Sequence, residues 1–196
     1  CEHGGGGIGC SGTKESGGPG SCRGGLLVES GEFGGEGAGA DRKPALNTPD
    51  PSYNGAVWVE AVKPIGPVAY IIKARTTLLR DLGSAMSPFN AFQIIQGMET
   101  LPLRMREHCA NATKVADYLS NHPNVTTVIY PGLQSGEDKR RADAYLSGGY
   151  SGLMGFELKG GKAAGCAFIE ALKMFYHVAN IGDARALAIH PARTPH

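Results

Sequence analysis

Two helix-start signals, Ser87-Pro88 and Thr100-Leu101-Pro102, are followed by alternating strand and helix patterns, and this order restricts what the chain can fold into. Ser is a good N-cap, and Pro suits the first helical position because its missing N–H would be unpaired there anyway. The helix opened near Thr100 is predicted to run through Met105, Cys109, Ala112, Val115, Ala116 and Leu119 to about Asn121, where Pro123 stops it. Val125 to Tyr130 is β-branched and reads as a strand, and Leu153 to Leu158 reads as a second. Ala163 to Phe175 reads as an amphipathic helix with Phe168, Leu172 and Phe175 on one side, and Val178 to Ile181 as a third short strand. Strands alternating with helices in a chain of this size predict an α/β or α+β layer and not a bundle. Upstream, Ile71, Ile72, Leu78, Leu79 and Leu82 recur at gaps of three and four and predict a helix from Ala69. Leu26-Leu27-Val28 reads as a strand, while Glu29 to Asn54 reads as a long surface loop. No internal repeat is visible.

Bulk properties exclude several classes. The net charge of +1 over 196 residues offers no electrostatic footprint for nucleic acid or an anionic membrane. Every apolar run is interrupted by Lys, Arg, Glu or Gly before it reaches the length a bilayer needs. Cys1-Glu2-His3 and the glycines after it have no basic region, apolar stretch or cleavage site, so no signal peptide is expected, and the missing initiator Met suggests that the chain does not start where a gene would. The 5 cysteines are odd in number and irregularly spaced, which predicts free thiols in a reducing cytoplasm. Cys10 and Cys22 lack a closely spaced partner and the histidines are scattered, so no metal site is expected.

The segment Gly7 to Gly20 is the most informative for chemistry. A phosphate-binding G-x-x-x-x-G-K-S/T loop matches at Gly7 and Gly12, but Thr13 stands where the Lys should be and no apolar strand precedes it. The alternative is a Schiff-base lysine at Lys14. A primary amine condenses with an aldehyde, hydroxyls at Ser11 and Thr13 can turn to a phosphate, and the neighbouring glycines let backbone pass close by. Taken alone, Lys14 is better explained as a solvated loop lysine.

Ser11-Gly12-Thr13-Lys14 with Gly17-Gly18 and Gly20 resembles the S-x-T-K-x-x-G-G-H-G signature of the Cys/Met-metabolism family of pyridoxal-phosphate-dependent enzymes. Glu2-His3-Gly4 and Gly24-Gly25-Leu26-Leu27-Val28 resemble the segments on either side of it. Thr48-Pro49-Asp50-Pro51-Ser52-Tyr53-Asn54-Gly55 resembles a loop of the family's O-acetylhomoserine sulfhydrylase branch. Ser87 to Leu119, Tyr130-Pro131-Gly132-Leu133, Gly155 to Gly161 and His177 to Ala192 are similar to the family throughout. The resemblance implies a fragment of a fold-type I α/β transferase: residues 1–92 as the end of the large cofactor domain and residues 93–196 as a truncated small C-terminal domain. It implies pyridoxal 5'-phosphate as cofactor, held by Lys14 with Ser11 and Thr13, and a substrate contact at Asn180, where an amide can donate to a carboxylate. The plainer account of Asn180 is a turn residue before Gly182-Asp183. His177 and His190 are expected to be structural.

The implied reaction is γ-replacement on O-acetyl-L-homoserine by sulfide or a thiol in a cytoplasmic homo-oligomer, giving homocysteine or methionine. Sister γ-lyase or cystathionine γ-synthase activity, or a non-catalytic remnant retaining packing and oligomer surfaces, are the alternatives. This chain departs from the family at Cys10 and Pro19, each in place of a His, at Glu15-Ser16, in the glycine run Gly5 to Gly9, and at Arg193 and Pro195. Glycines pack nothing and lose most entropy on ordering, so a poor strand is expected there, and residues 1–23 and 31–52 are expected to be the least ordered. The implied residues for the pyridine nitrogen, ring stacking and most phosphate contacts lie upstream, and the carboxylate-binding arginine lies downstream.

Overall fold

Ser87 caps a helix as the sequence predicts: its Oγ accepts from the Asn90 amide at 3.2 Å. The structure is a computed structural model that describes residues 6–17, 22–31, 35–37 and 39–193, without the side chain of Glu15. Glu2-His3-Gly4, Gly5, Gly18, Pro19, Gly20 and Pro195 lie outside these residues. The backbone forms two compact units, Cys1–Ser11 with Gly24–Ala91 and Gly12–Arg23 with Phe92–His196.

In the first unit, β1 (Gly7–Ser11) pairs antiparallel with β2 (Gly25–Glu29), with Cys10 opposite Leu26 and Gly7 opposite Glu29. Gly7 and Gly9 of the glycine run thus do lie in a strand. Backbone pairing sustains it, because every β1 residue is exposed and packing contributes little. Residues 29–54, expected to be one loop, contain α1 (Pro44–Asn47) and two short 3-10 turns, Ala40–Arg42 and Pro51–Tyr53. Asn47 draws this segment together by donating to the carbonyls of Gly35, Ala40 and Lys43. Leu46 is thereby buried with Trp58, Val59, Val62 and Ala69. Trp58 and Val59 belong to α2 (Trp58–Ala61), and Ala69 to α3 (Ala69–Lys73). The carboxylate of Asp50 gathers the Ser52 amide at 3.0 Å, Trp58 Nε1 at 2.8 Å and Lys73 Nζ at 2.7 Å. The expected helix beyond Ala69 continues as a π-helical stretch, Ala74–Asp81. Leu78, Leu79 and Leu82, predicted on its apolar face, are exposed.

The division between units falls within α4 (Pro88–Glu99), which is followed directly by α5 (Leu101–Ser120). β3 (Val125–Ile129) and β4 (Gly155–Leu158) form an antiparallel pair, and between them in sequence lies α6 (Gly136–Tyr145). Ala112 and Ala116 of α5 pack with Tyr130, flanked by Val128, Tyr150 and Met154. Small residues here let the helix approach the strand end. Tyr130 OH is satisfied by Thr113 Oγ1 at 3.1 Å and the Ser151 carbonyl at 3.2 Å. The last helix, α7 (Gly161–Ala171), sets Phe168 edge-on to Phe156 at 5.4 Å. It ends before the predicted Phe175 because Leu172 is already extended, at ψ 130°.

Val178 to Ile181 is not a strand. One bridge, Tyr176 to Leu187, is the nearest pairing. Asp183 accepts from the Arg185 amide at 2.9 Å and from Asn180 Nδ2 at 3.0 Å, so side-chain bonds close a turn where the β-branched residues suggested a ladder.

Candidate active site

Lys14 sits in the middle of a single π-helical turn, Gly12–Ser16, closed by the Gly17 amide donating to the Gly12 carbonyl at 2.9 Å. Its side chain is half-buried, as is that of Thr13, while Ser11 ends β1 and is exposed. Ser11 therefore belongs to the first unit, and Thr13 and Lys14 to the second. Two neighbours hold the turn. Cys22 is 2% exposed, and its Sγ lies 2.7 Å from where a Cβ on Gly17 would stand, so only glycine fits at 17. On the other side Gly97 of α4 lies against the turn so closely that a Cβ there would collide with the Ser16 carbonyl oxygen. A short side chain at either position would move the lysine-bearing backbone.

Arg104 of α5 lies beyond Gly97. Its Nη2 donates to the Gly97 carbonyl at 2.8 Å, its Nε to Thr100 Oγ1 at 3.2 Å, and its Nη1 makes a longer bond of 3.4 Å to the Gly182 carbonyl. Gly182 lies in the turn that carries Asn180. There Asp183 is 3% exposed and accepts from Arg185 Nε and Nη2, each at 3.1 Å, besides the Arg185 amide and Asn180 Nδ2. These bonds, the Arg185 guanidinium first, hold the Asp183 carboxyl far below the ordinary carboxylate range, against the opposing effect of burial. One N–H of Asn180 is thus committed to Asp183. Its other N–H and its carbonyl are the groups with which it can meet a ligand.

Other lysines are differently placed. Lys73 is tied to Asp50 at 2.7 Å and lies over the Trp58 ring, and Lys139 is tied to Asp143 at 2.6 Å. Chemically, the Lys14 turn offers a primary amine with a neighbouring hydroxyl at Thr13. This donor set fits an aldehyde that carries an anionic group. Among the described residues no group of His, Cys, Asp and Glu could hold a metal ion, and no helix is long and apolar enough to cross a membrane. Sequence reasoning singled out Ser11, Thr13, Lys14 and Asn180 and missed Cys22, Gly97, Arg104 and Asp183. Gly97 did carry a signal, since a glycine inside a helix is costly relative to alanine unless something needs the space. Arg104 carried none of its own.

Residues 13–196 match the Cys/Met metabolism PLP-dependent enzyme family. The chain is 47% identical over 190 residues to an O-acetyl-L-homoserine sulfhydrylase of Leptospira meyeri, covering 94% of this chain and 42% of that protein. It is 42% identical over 186 residues to a homocysteine synthase of Schizosaccharomyces pombe, again covering 42% of the relative. A crystal structure described as an O-acetylhomoserine (thiol)-lyase from Campylobacter jejuni, with N'-pyridoxyl-lysine-5'-monophosphate, matches with a TM-score of 0.82 at 36% identity. That match covers 98% of this chain and 46% of the other. The chain therefore spans less than half the length of these relatives.

Proposed function

The chain belongs to the Cys/Met-metabolism family of pyridoxal-phosphate-dependent enzymes, and on that premise we propose that Lys14 is the Schiff-base lysine of an enzyme performing γ-replacement on O-acetyl-L-homoserine. The nucleophile is sulfide or a thiol, and the product homocysteine or methionine. Its α/β layers are a fragment of the fold-type I architecture. We assign residues 1–92 to the end of the cofactor domain and 93–196 to the truncated small domain, in a parent protein that is a homo-oligomer. The names of the relatives support the substrate. The observation that supports the assignment of Lys14 is its turn, whose backbone is held by the close approach of Cys22 and Gly97.

Each residue then has a task. Lys14 Nζ would hold the cofactor aldehyde covalently and, as a free amine, would carry protons at the substrate carbons. Thr13 and Ser11 orient the phosphate through their hydroxyls. Asn180 directs its free amide N–H to the substrate carboxylate. Pyridoxal phosphate, when bound, supplies the electron sink for the developing Cα carbanion.

The test is borohydride trapping with pyridoxal phosphate, followed by peptide mapping. We expect labelling at Lys14, and only at a large excess of cofactor, because tight holding also needs groups outside this chain. Preferential labelling of Lys73 or Lys173 would overturn the assignment. Near-stoichiometric labelling of Lys14 at low cofactor would overturn the claim of weak binding. Lys73 is a poor competitor because its ammonium is already paired with Asp50.

A further inference from the structure

The turn that carries Lys14 and the turn that carries Asn180 are both reached from one side chain. We propose that Arg104 is a positioning residue that holds the Lys14 turn and the Asn180–Asp183 turn in register, acting through the Gly97 carbonyl on one side and the Gly182 carbonyl on the other. The inference rests on the reading of Lys14 as the cofactor lysine.

Gly97 is where the Lys14 turn connects to Arg104. Its carbonyl is among the last of α4, where carbonyls have no partner within the helix. A guanidinium placed there satisfies the orphan acceptor and meets the negative end of the helix dipole. Thr100 also donates to this carbonyl, at 3.3 Å, and accepts from Arg104 Nε, which fixes the plane of the head group. The same Gly97 is the point at which α4 touches the backbone of the lysine turn, because its missing Cβ leaves room for the Ser16 carbonyl. The last acceptor, Gly182 O, is 78 positions away in the chain, at a residue whose φ of 68° suits glycine. Asp183, next to it, fixes the Asn180 amide. One rigid planar group thus sets the spacing of two turns, each bearing a proposed ligand contact. A lysine in its place has one point of charge on a flexible stem and cannot hold both at a fixed separation.

The experiment uses the full chain with Arg104→Leu, Arg104→Lys and Gly97→Ala, read by amide hydrogen exchange and by borohydride labelling of Lys14 across pH. Arg104→Leu is expected to speed exchange about tenfold or more in both 12–17 and 180–185, a loss comparable to one charged hydrogen bond, while α5 stays protected. Labelling of Lys14 should slow several-fold. Arg104→Lys should recover protection at 12–17 but not at 180–185. Gly97→Ala should slow labelling with 180–185 unchanged. Unaltered exchange and labelling in Arg104→Leu would overturn the proposal. If that variant fails to fold, Arg104→Lys decides: a uniform loss of protection over the second unit would make Arg104 a general stabiliser and overturn it equally. Wild-type labelling at another lysine would remove the assignment of Lys14, while the exchange results would still show whether Arg104 couples the two turns.

Discussion

Asp183 is the one buried charged side chain among the described residues, and its bonds to Arg185 and Asn180 make it sensitive to acid. An unfolded carboxyl titrates near about 3.9, and the folded value lies well below that. The unfolded chain therefore binds more protons in acid. Stabilisation by this group is fully present above about pH 5 and is lost as the pH falls through about 4 towards the folded value. Asp183→Asn should cost about 1–3 kcal/mol at pH 7, as expected for hydrogen bonds to a charged group with a half-exposed partner. In urea unfolding the gap between wild type and variant should narrow steadily from about pH 5 downward. A gap independent of pH would show that the charge contributes nothing. The sequence marked Asn180 as a residue of interest, but the partner that orients it, three positions on, is apparent only from the folded turn.

At the scale of elements, α5 shows how little of packing a pattern reveals. Val115 and Ala116 are neighbours in a predicted apolar period, yet Ala116 is 0% exposed and Val115 is 43% exposed. The strand side of the helix is held close by small residues, and Tyr130 occupies the space they leave. Ala116→Leu should therefore destabilise the chain by about 1–3 kcal/mol through overpacking. Val115→Leu should stay within about 0.5 kcal/mol. Thermal or urea unfolding of the pair checks this, and equal effects would mean that the burial is wrongly assigned. The starts of α4 and α5 were legible because proline acts locally, with Ser87 adding a cap at α4, whereas Thr100, expected to cap α5, makes no capping bond and its hydroxyl donates back to the Gly97 carbonyl. The end of α7 and the fate of Val178 to Ile181 were not, because competing side-chain bonds from Asp183 decide them.

For the whole molecule, the relevant fact is exposed apolar surface. Leu26, Leu27 and Val28 of β2 are each about half exposed, at 49%, 49% and 50%, in a sheet that has two strands among the described residues. Two-stranded sheets are marginal in water, and their unpaired edges invite pairing with another chain. The chain spans less than half of its relatives, and we expect it to self-associate. Sedimentation velocity over a range of concentrations should show growth beyond the monomer, reduced by Leu27→Lys. A monomer at all concentrations would refute this.

The sequence alone determined the layered class, the capped start of α4 and the strands β3 and β4, and it supplied the proposal of Lys14 with hydroxyls at Thr13 and Ser11. These depend on short-range sterics, capping and local chemistry, which neighbouring residues carry with them. Tertiary structure decided the rest. It paired a glycine run with β2, buried Leu46 from within an apparent loop, and bonded Arg104 to a carbonyl 78 residues away. Each of these depends on groups that meet only when distant segments pack, and the free energy of such meetings is not written in any local pattern.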